Sequence, residues 1–91
     1  MPIARVFTAN GWTASQYDAL IAHMNLGGRS APGVLFHWAA VTDDGMRAVD
    51  VYESRAAAER LVGESIGPIA GELGLALPEI TQLEVHNYLA T

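Results

Sequence analysis

VLFHWAAVTDDGMRAVDVYE, residues 34–53, carries two runs rich in β-branched and aromatic residues, 34–42 and 46–53, on either side of Asp43-Asp44-Gly45. Apolar runs separated by Asp-Gly read as a β-hairpin. With Asp44-Gly45 as a two-residue turn, His37 faces Tyr52, Ala39 faces Asp50 and Val41 faces Ala48 on one side of the sheet. The other side receives Phe36, Trp38, Val49 and Val51, an apolar set suited to lying under helices. On this reading the side bearing His37, Asp50 and Tyr52 is left open.

The flanking sequence supplies the remaining elements. Residues 3–9 form a strand that Asn10-Gly11 ends. Thr13-Ala14-Ser15-Gln16 is a capping box, and Trp12 and Tyr17 fall at the N′ and N4 positions of a hydrophobic staple. Tyr17, Leu20, Ile21 and Met24 continue it as one apolar stripe, which Gly27-Gly28 stops. Ser54 caps a second helix with a stripe of Ala58, Leu61 and Val62, and Arg55 and Glu59 form an outward i,i+4 pair. Gly67-Pro68 breaks that helix, and a short one runs from Pro68 until Gly74 stops it. Beyond Pro78, residues 79–89 alternate as a last strand, with Leu83, Val85 and Leu89 on one face and Gln82, Glu84, His86 and Tyr88 on the other.

The order strand, helix, strand, strand, broken helix, strand defines an α+β chain. With right-handed crossovers it fits a single ferredoxin-like βαββαβ domain over residues 1–91, a four-stranded antiparallel sheet with helices on one face. The open face would then hold Ala39, Ala48, Phe7, Tyr52 and Tyr88 beside Arg5, His37, Asp50, Glu84 and His86. That mixture is too apolar for water and too polar for a sealed core. Docking a second copy against it resolves the conflict, giving a homodimeric α/β barrel with a polar-lined cavity between sheets.

Composition points the same way. Of 91 residues, 51% are hydrophobic and 16% charged, with no Cys. A chain this short, without disulfides, buries only ~60–65% of its unfolded surface, so the apolar excess needs a partner surface. The net charge of −5 repels phosphate backbones and anionic lipids, so neither nucleic acid nor a membrane is expected as a partner. Neither a basic leader with an apolar run nor a stretch of ~20 apolar residues is evident, and the expectation is a soluble cytoplasmic protein. Lack of Cys removes thiol catalysis and thiolate metal sites.

His37 and Tyr52 can act as a general base and a phenol donor toward a bound molecule, or can satisfy each other in a dimer interface. Glu84, His86 and Tyr88 recur at period two and point into one space. With His37 they offer donors for a metal, but nothing in the spacing is specific to one, and a polar pocket lining is the preferred reading. No metal or other cofactor is demanded. Arg5 and Asp50 are either an internal ion pair or a substrate-orienting pair. Trp12 and Tyr17 are explained by the staple, Trp38 by the helix-facing core, and His23 as a surface residue.

Gly11-Trp12-Thr13 with Gln16-Tyr17-Asp18, the segment Pro32-Gly33-Val34-Leu35-Phe36-His37, the segment Asp50-Val51-Tyr52-Glu53-Ser54, and Leu73-Gly74 resemble the dimeric α/β-barrel superfamily. More narrowly, they are similar to small antibiotic-biosynthesis monooxygenase-like proteins. The resemblance implies that fold, and relatives that include cofactor-independent monooxygenases of aromatic polyketides, haem-degrading enzymes and lactone isomerases. The Asn–Trp–His constellation associated with some of these is not matched by Asn10, Trp12, Trp38 and the three His. What it implies for function is a pocket for a small aromatic or polyketide-like molecule. His37 or His86 would be the catalytic base, and Tyr52, Tyr88, Asp50, Glu84, Arg5 and Phe7 would bind the substrate. The alternative is a non-catalytic ligand-binding or stress-associated homodimer.

Overall fold

A computed structural model describes residues 2–89. The elements are β1 (Ile3–Asn10), α1 (Ala14–Met24), β2 (Val34–Thr42), β3 (Gly45–Tyr52), α2 (Arg55–Leu61), a π-helical turn (Val62–Ile66), α3 (Gly67–Glu72) and β4 (Glu79–Glu84). The four strands form one sheet in the order β2-β3-β1-β4, with every neighbouring pair antiparallel. This is the expected βαββαβ arrangement. Among the described residues, no helix is long and apolar enough to cross a membrane.

The capping box forms as read. The Gln16 N–H donates to Thr13 Oγ1 at 3.2 Å, and the Thr13 N–H donates to Gln16 Oε1 at 2.8 Å. The helix ends earlier than its glycines, at Asn25, which takes a left-handed conformation with φ 56°. Trp12 is buried, and its indole N–H donates to the Ala76 carbonyl at 2.9 Å, tying the start of α1 to the loop after α3. Pro68 does not break the second helix. The Gly67 N–H reaches back to the Val62 carbonyl, an i→i−5 bond, and the resulting π turn carries the chain into α3 with Pro68 in its first turn.

The hairpin register differs from expectation by two residues. Gly45 belongs to β3 and pairs with Thr42, so the turn is Asp43-Asp44 and His37 lies opposite Asp50, not Tyr52. Ala39 accordingly faces Ala48, and Val41 faces Met46. Gly45 is spent on close approach, not on the turn. A Cβ there would lie 2.3 Å from the Ala9 carbonyl oxygen and 2.7 Å from the Gly11 nitrogen. A shift of two keeps every residue on its face while changing its partner.

The assignment of faces is reversed. Tyr52 is wholly buried in a cluster with Ile3, Ala31, Ala58 and Leu61, so the face bearing Asp50 and Tyr52 lies beneath the helices. Ala9, Met46, Trp12 and Leu20 form the second part of this core. Phe36 and Trp38, expected beneath the helices, are 38% and 41% exposed. Judged on β2 and β3 alone, the Phe36–Trp38 face is the greasier one. Strand β1 tips the balance, because Ile3, Phe7 and Ala9 are buried and share their face with Tyr52, Ala48 and Met46. Ala57, Ala58 and Ala70, all buried, let the helices approach that face closely.

Candidate functional site

Placing this face of β2 and β3 under the helices buries Asp50 and Tyr52 and leaves His37 half-buried beside them, so the buried polar groups have to find partners. Asp50 is 4% exposed. Its Oδ1 accepts from His37 Nδ1 across the β2–β3 pair, and its Oδ2 accepts from the Tyr52 hydroxyl at 2.6 Å. Among the described residues, His37 and Asp50 are also the one pair of a basic and an acidic side chain within ion-pair distance, charged on both sides only when the imidazole is protonated. On the other side of the imidazole, Nε2 lies 2.6 Å from the Tyr17 hydroxyl, and the two rings are parallel within 5° at a centroid separation of 6.1 Å. The result is a continuous chain, Tyr52–Asp50–His37–Tyr17, that crosses from β3 through β2 to α1.

With the imidazole in its neutral form, the carboxylate on one side sets the proton positions along the chain. A carboxylate only accepts, so Nδ1 carries the imidazole proton and the neutral ring's Nε2 is an acceptor. The Tyr17 hydroxyl then donates to Nε2. Both phenols keep their protons: burial first, then the charges of Asp50 and Asp18, hold Tyr17 above the ordinary phenol value of 10.0. Burial first, then the hydrogen bond to Asp50 and its charge, raise Tyr52 further, against a smaller opposing effect of Arg5. Among the described residues, no buried side-chain nitrogen or oxygen lacks a partner.

Tyr17, His37 and Asp50 open on a cavity of about 460 Å³ between α1, the segment that follows it, the sheet and α2. Its remaining wall is largely apolar, including Ile21, Met24, Leu26, Val34, Leu61 and Ile66, and Arg29 is the cation that borders it. The size suits a small organic molecule, and apolar walls with a few convergent polar groups are the usual make-up of a ligand pocket. Residues 25–33 close one side, held by the Val34 N–H on the Ala31 carbonyl at 3.0 Å and the Glu53 N–H on the Gly33 carbonyl at 2.9 Å. Gly33, at φ +84°, lets this segment lie against α2, where a Cβ would be 2.7 Å from that of Ala57.

Of the residues singled out from sequence, His37, Asp50 and Tyr52 come together. Arg5 pairs in register with Asp50, but its Nε donates to Gln82 Oε1 at 3.0 Å, so the expected ion pair does not form. Phe7 is buried in the sheet and stands outside the cavity wall. Strand β4 ends at Glu84, five residues earlier than expected, so His86 and Tyr88 are exposed beyond the last strand. Glu84 is exposed on this edge strand, and none of the three borders the cavity. Among the described residues, no group of three or more His, Asp or Glu is placed to hold a metal ion. His23 is exposed on α1 with Nδ1 on the Ala19 carbonyl at 2.8 Å, as a surface residue should be. Tyr17 is the residue that sequence reading missed: the staple position that explains it also aims it at the sheet.

No protein-family model matches the chain, and no curated protein matches it in sequence. Solved structures do match its fold. A protein provisionally assigned as an antibiotic biosynthesis monooxygenase from Chloroflexus aurantiacus superposes with a TM-score of 0.68 at 21% identity, covering 99% of this chain and 98% of that one. A variant of SnoaB, a cofactor-independent oxygenase from Streptomyces nogalater, gives 0.61 at 19% identity, covering 99% and 96%. A second protein with the same provisional assignment, from Deinococcus radiodurans, gives 0.59 at 17%, covering 100% and 98%. The chain therefore has the ferredoxin-like fold of the antibiotic biosynthesis monooxygenase-type proteins.

Proposed function

We propose that this protein binds a small aromatic or polyketide-like molecule in the cavity and removes a proton from it with His37. The observation that carries this reading is the His37–Asp50 dyad at the edge of an apolar cavity of molecular size. Asp50 fixes the Nδ1–H tautomer and stabilises the imidazolium that forms when Nε2 takes a proton, while the apolar walls favour a flat, weakly polar ligand. A phenol or a C–H beside an aryl ketone has an acidity that such a base can reach, and its anion is electron-rich enough to react with dioxygen. An oxygenase among the proteins of the same fold supports that direction.

We further propose a homodimer, built on the face opposite to the one expected from sequence. Phe36, Trp38 and Leu83 lie exposed on the sheet surface that no helix covers, and a second copy of that surface would bury them. The His37 site is then enclosed by each chain's own helices.

Dithranol, a dihydroxyanthrone, tests the enzyme reading: with one dioxygen it gives the corresponding anthraquinone and one water. Oxygen uptake and quinone absorbance should rise with protein concentration and fall by about 100-fold or more in His37→Ala, while His23→Ala, a change on the exposed face of α1, keeps the wild-type rate. Equal rates in wild type and His37→Ala sink the general-base assignment.

A further inference from the structure

We propose that Tyr17 is a catalytic residue, the group that receives the substrate proton and relays its own hydroxyl proton to His37. The inference rests on the base reading above and deepens it. A neutral imidazole with a proton on Nδ1 has a single lone pair, at Nε2, and here the Tyr17 hydroxyl lies 2.6 Å from it. His37 thus has no free acceptor position to offer a ligand. Tyr17 itself borders the cavity, and its oxygen retains lone pairs when its hydrogen points at Nε2.

The two ends of the chain differ. Tyr52 is wholly buried and its hydroxyl is committed to Asp50, so no ligand reaches that end. Tyr17 is half-buried at the cavity, so protons enter or leave there. Its place is set by secondary structure. It stands four residues after the Thr13 cap, its N–H bonded to the Thr13 carbonyl at 3.1 Å, in the turn that the capping box holds. A hydroxyl fixed this way keeps its alignment with Nε2 while a substrate arrives.

The step balances. The substrate C–H or O–H proton passes to Tyr17 Oη as the Tyr17 hydroxyl proton passes to His37 Nε2. The substrate becomes an anion and His37 an imidazolium, with Nδ1–H on Asp50 and Nε2–H on Tyr17. No tyrosinate forms at any point, which suits a phenol whose ionisation burial opposes. Reprotonation of the product runs the same path backwards.

Deuterium exchange at the methylene of dithranol, followed by proton NMR without oxygen, isolates this step. Wild type should accelerate exchange, His37→Ala should not, and Tyr17→Phe should lose about 100-fold while quenching of tryptophan fluorescence by dithranol reports affinity within threefold of wild type. Tyr17→Phe keeps the ring, and its amide NMR spectrum verifies the fold. The nitrogen-15 shift of Nε2 should move in this variant as the hydrogen bond is lost. Exchange at or above the wild-type rate in Tyr17→Phe overturns the relay alone, because the hydroxyl then merely masks the base. An unmoved Nε2 resonance also overturns it. Wild type that exchanges dithranol no faster than buffer overturns the proposed function, and the relay with it.

Discussion

His37 and Asp50 are direct cross-strand partners on β2 and β3, and their side chains are hydrogen-bonded on the face that the helices cover. Such opposed pairs lie only about 4.5–5.5 Å apart at Cβ, so the backbone ladder itself delivers the imidazole to the carboxylate. Both carboxylate oxygens are engaged, by His37 and by Tyr52. Asp50→Asn keeps the shape but turns one acceptor into a donor facing the Tyr52 hydroxyl and removes the charge. It should lower unfolding free energy by roughly 1–3 kcal/mol, measured by urea denaturation at neutral pH. A midpoint unchanged from wild type contradicts the buried network.

Tyr52 makes stability fall in alkali. Its phenol is held above the ordinary value of 10.0, chiefly by burial and by Asp50, so the folded chain keeps this proton after the unfolded chain has lost it. The stabilisation is complete below the unfolded value and is lost as pH climbs from there toward the folded one. The slope is about 1.4 kcal/mol per pH unit. Tyr17 acts with the same sign. Urea midpoints collected through about pH 10 should drop steeply for wild type and more gently for Tyr52→Phe. Identical slopes in the two proteins refute the assignment.

Gly45 carries the hairpin register. A methyl group there would meet the Ala9 carbonyl oxygen at 2.3 Å, and backbone cannot step aside as a side chain can. Gly45→Ala should therefore cost roughly 2–4 kcal/mol. Native-state hydrogen exchange should show the loss first in the amides of β1 and β3 near Asn10 and Gly45, which pair with each other. Full wild-type stability in this variant contradicts the close approach.

The element order and both helix caps were legible because they depend on local chemistry: Thr13 with Gln16, and Ser54, whose Oγ accepts the Ala57 N–H. The covered face was not legible from the hairpin, since both of its faces carry large apolar residues. The burial of Ile3 and Phe7 on the face that Tyr52 shares settles it, and that is a three-strand property. Of the candidate site, His37, Asp50 and Tyr52 could be found by parity, which a register error of two leaves intact. His86 and Tyr88 share that parity in sequence, but the strand that would have carried them ends at Glu84. Tyr17 was hidden because a residue that staples a helix and one that meets a base across the core obey the same spacing.

The uncovered sheet face leads to a prediction about assembly. Its aromatic residues Phe36 and Trp38, with Leu83 at 54% exposure, occupy the side of the sheet away from the helices. Large apolar side chains exposed on one sheet face invite a partner surface, and a two-fold pairing of identical faces would place each patch on its own copy. A charge set into such an interface has to be desolvated without a partner. Trp38→Glu should therefore weaken self-association by at least about 100-fold, roughly 2.7 kcal/mol, while circular dichroism and the His37–Asp50 site stay as in wild type. Sedimentation velocity at micromolar concentration should give a dimer for wild type and a monomer for Trp38→Glu. Wild type sedimenting as a monomer throughout removes the dimer, and a Trp38→Glu protein that remains dimeric places the interface elsewhere, on the helical side or along the β2 or β4 edge.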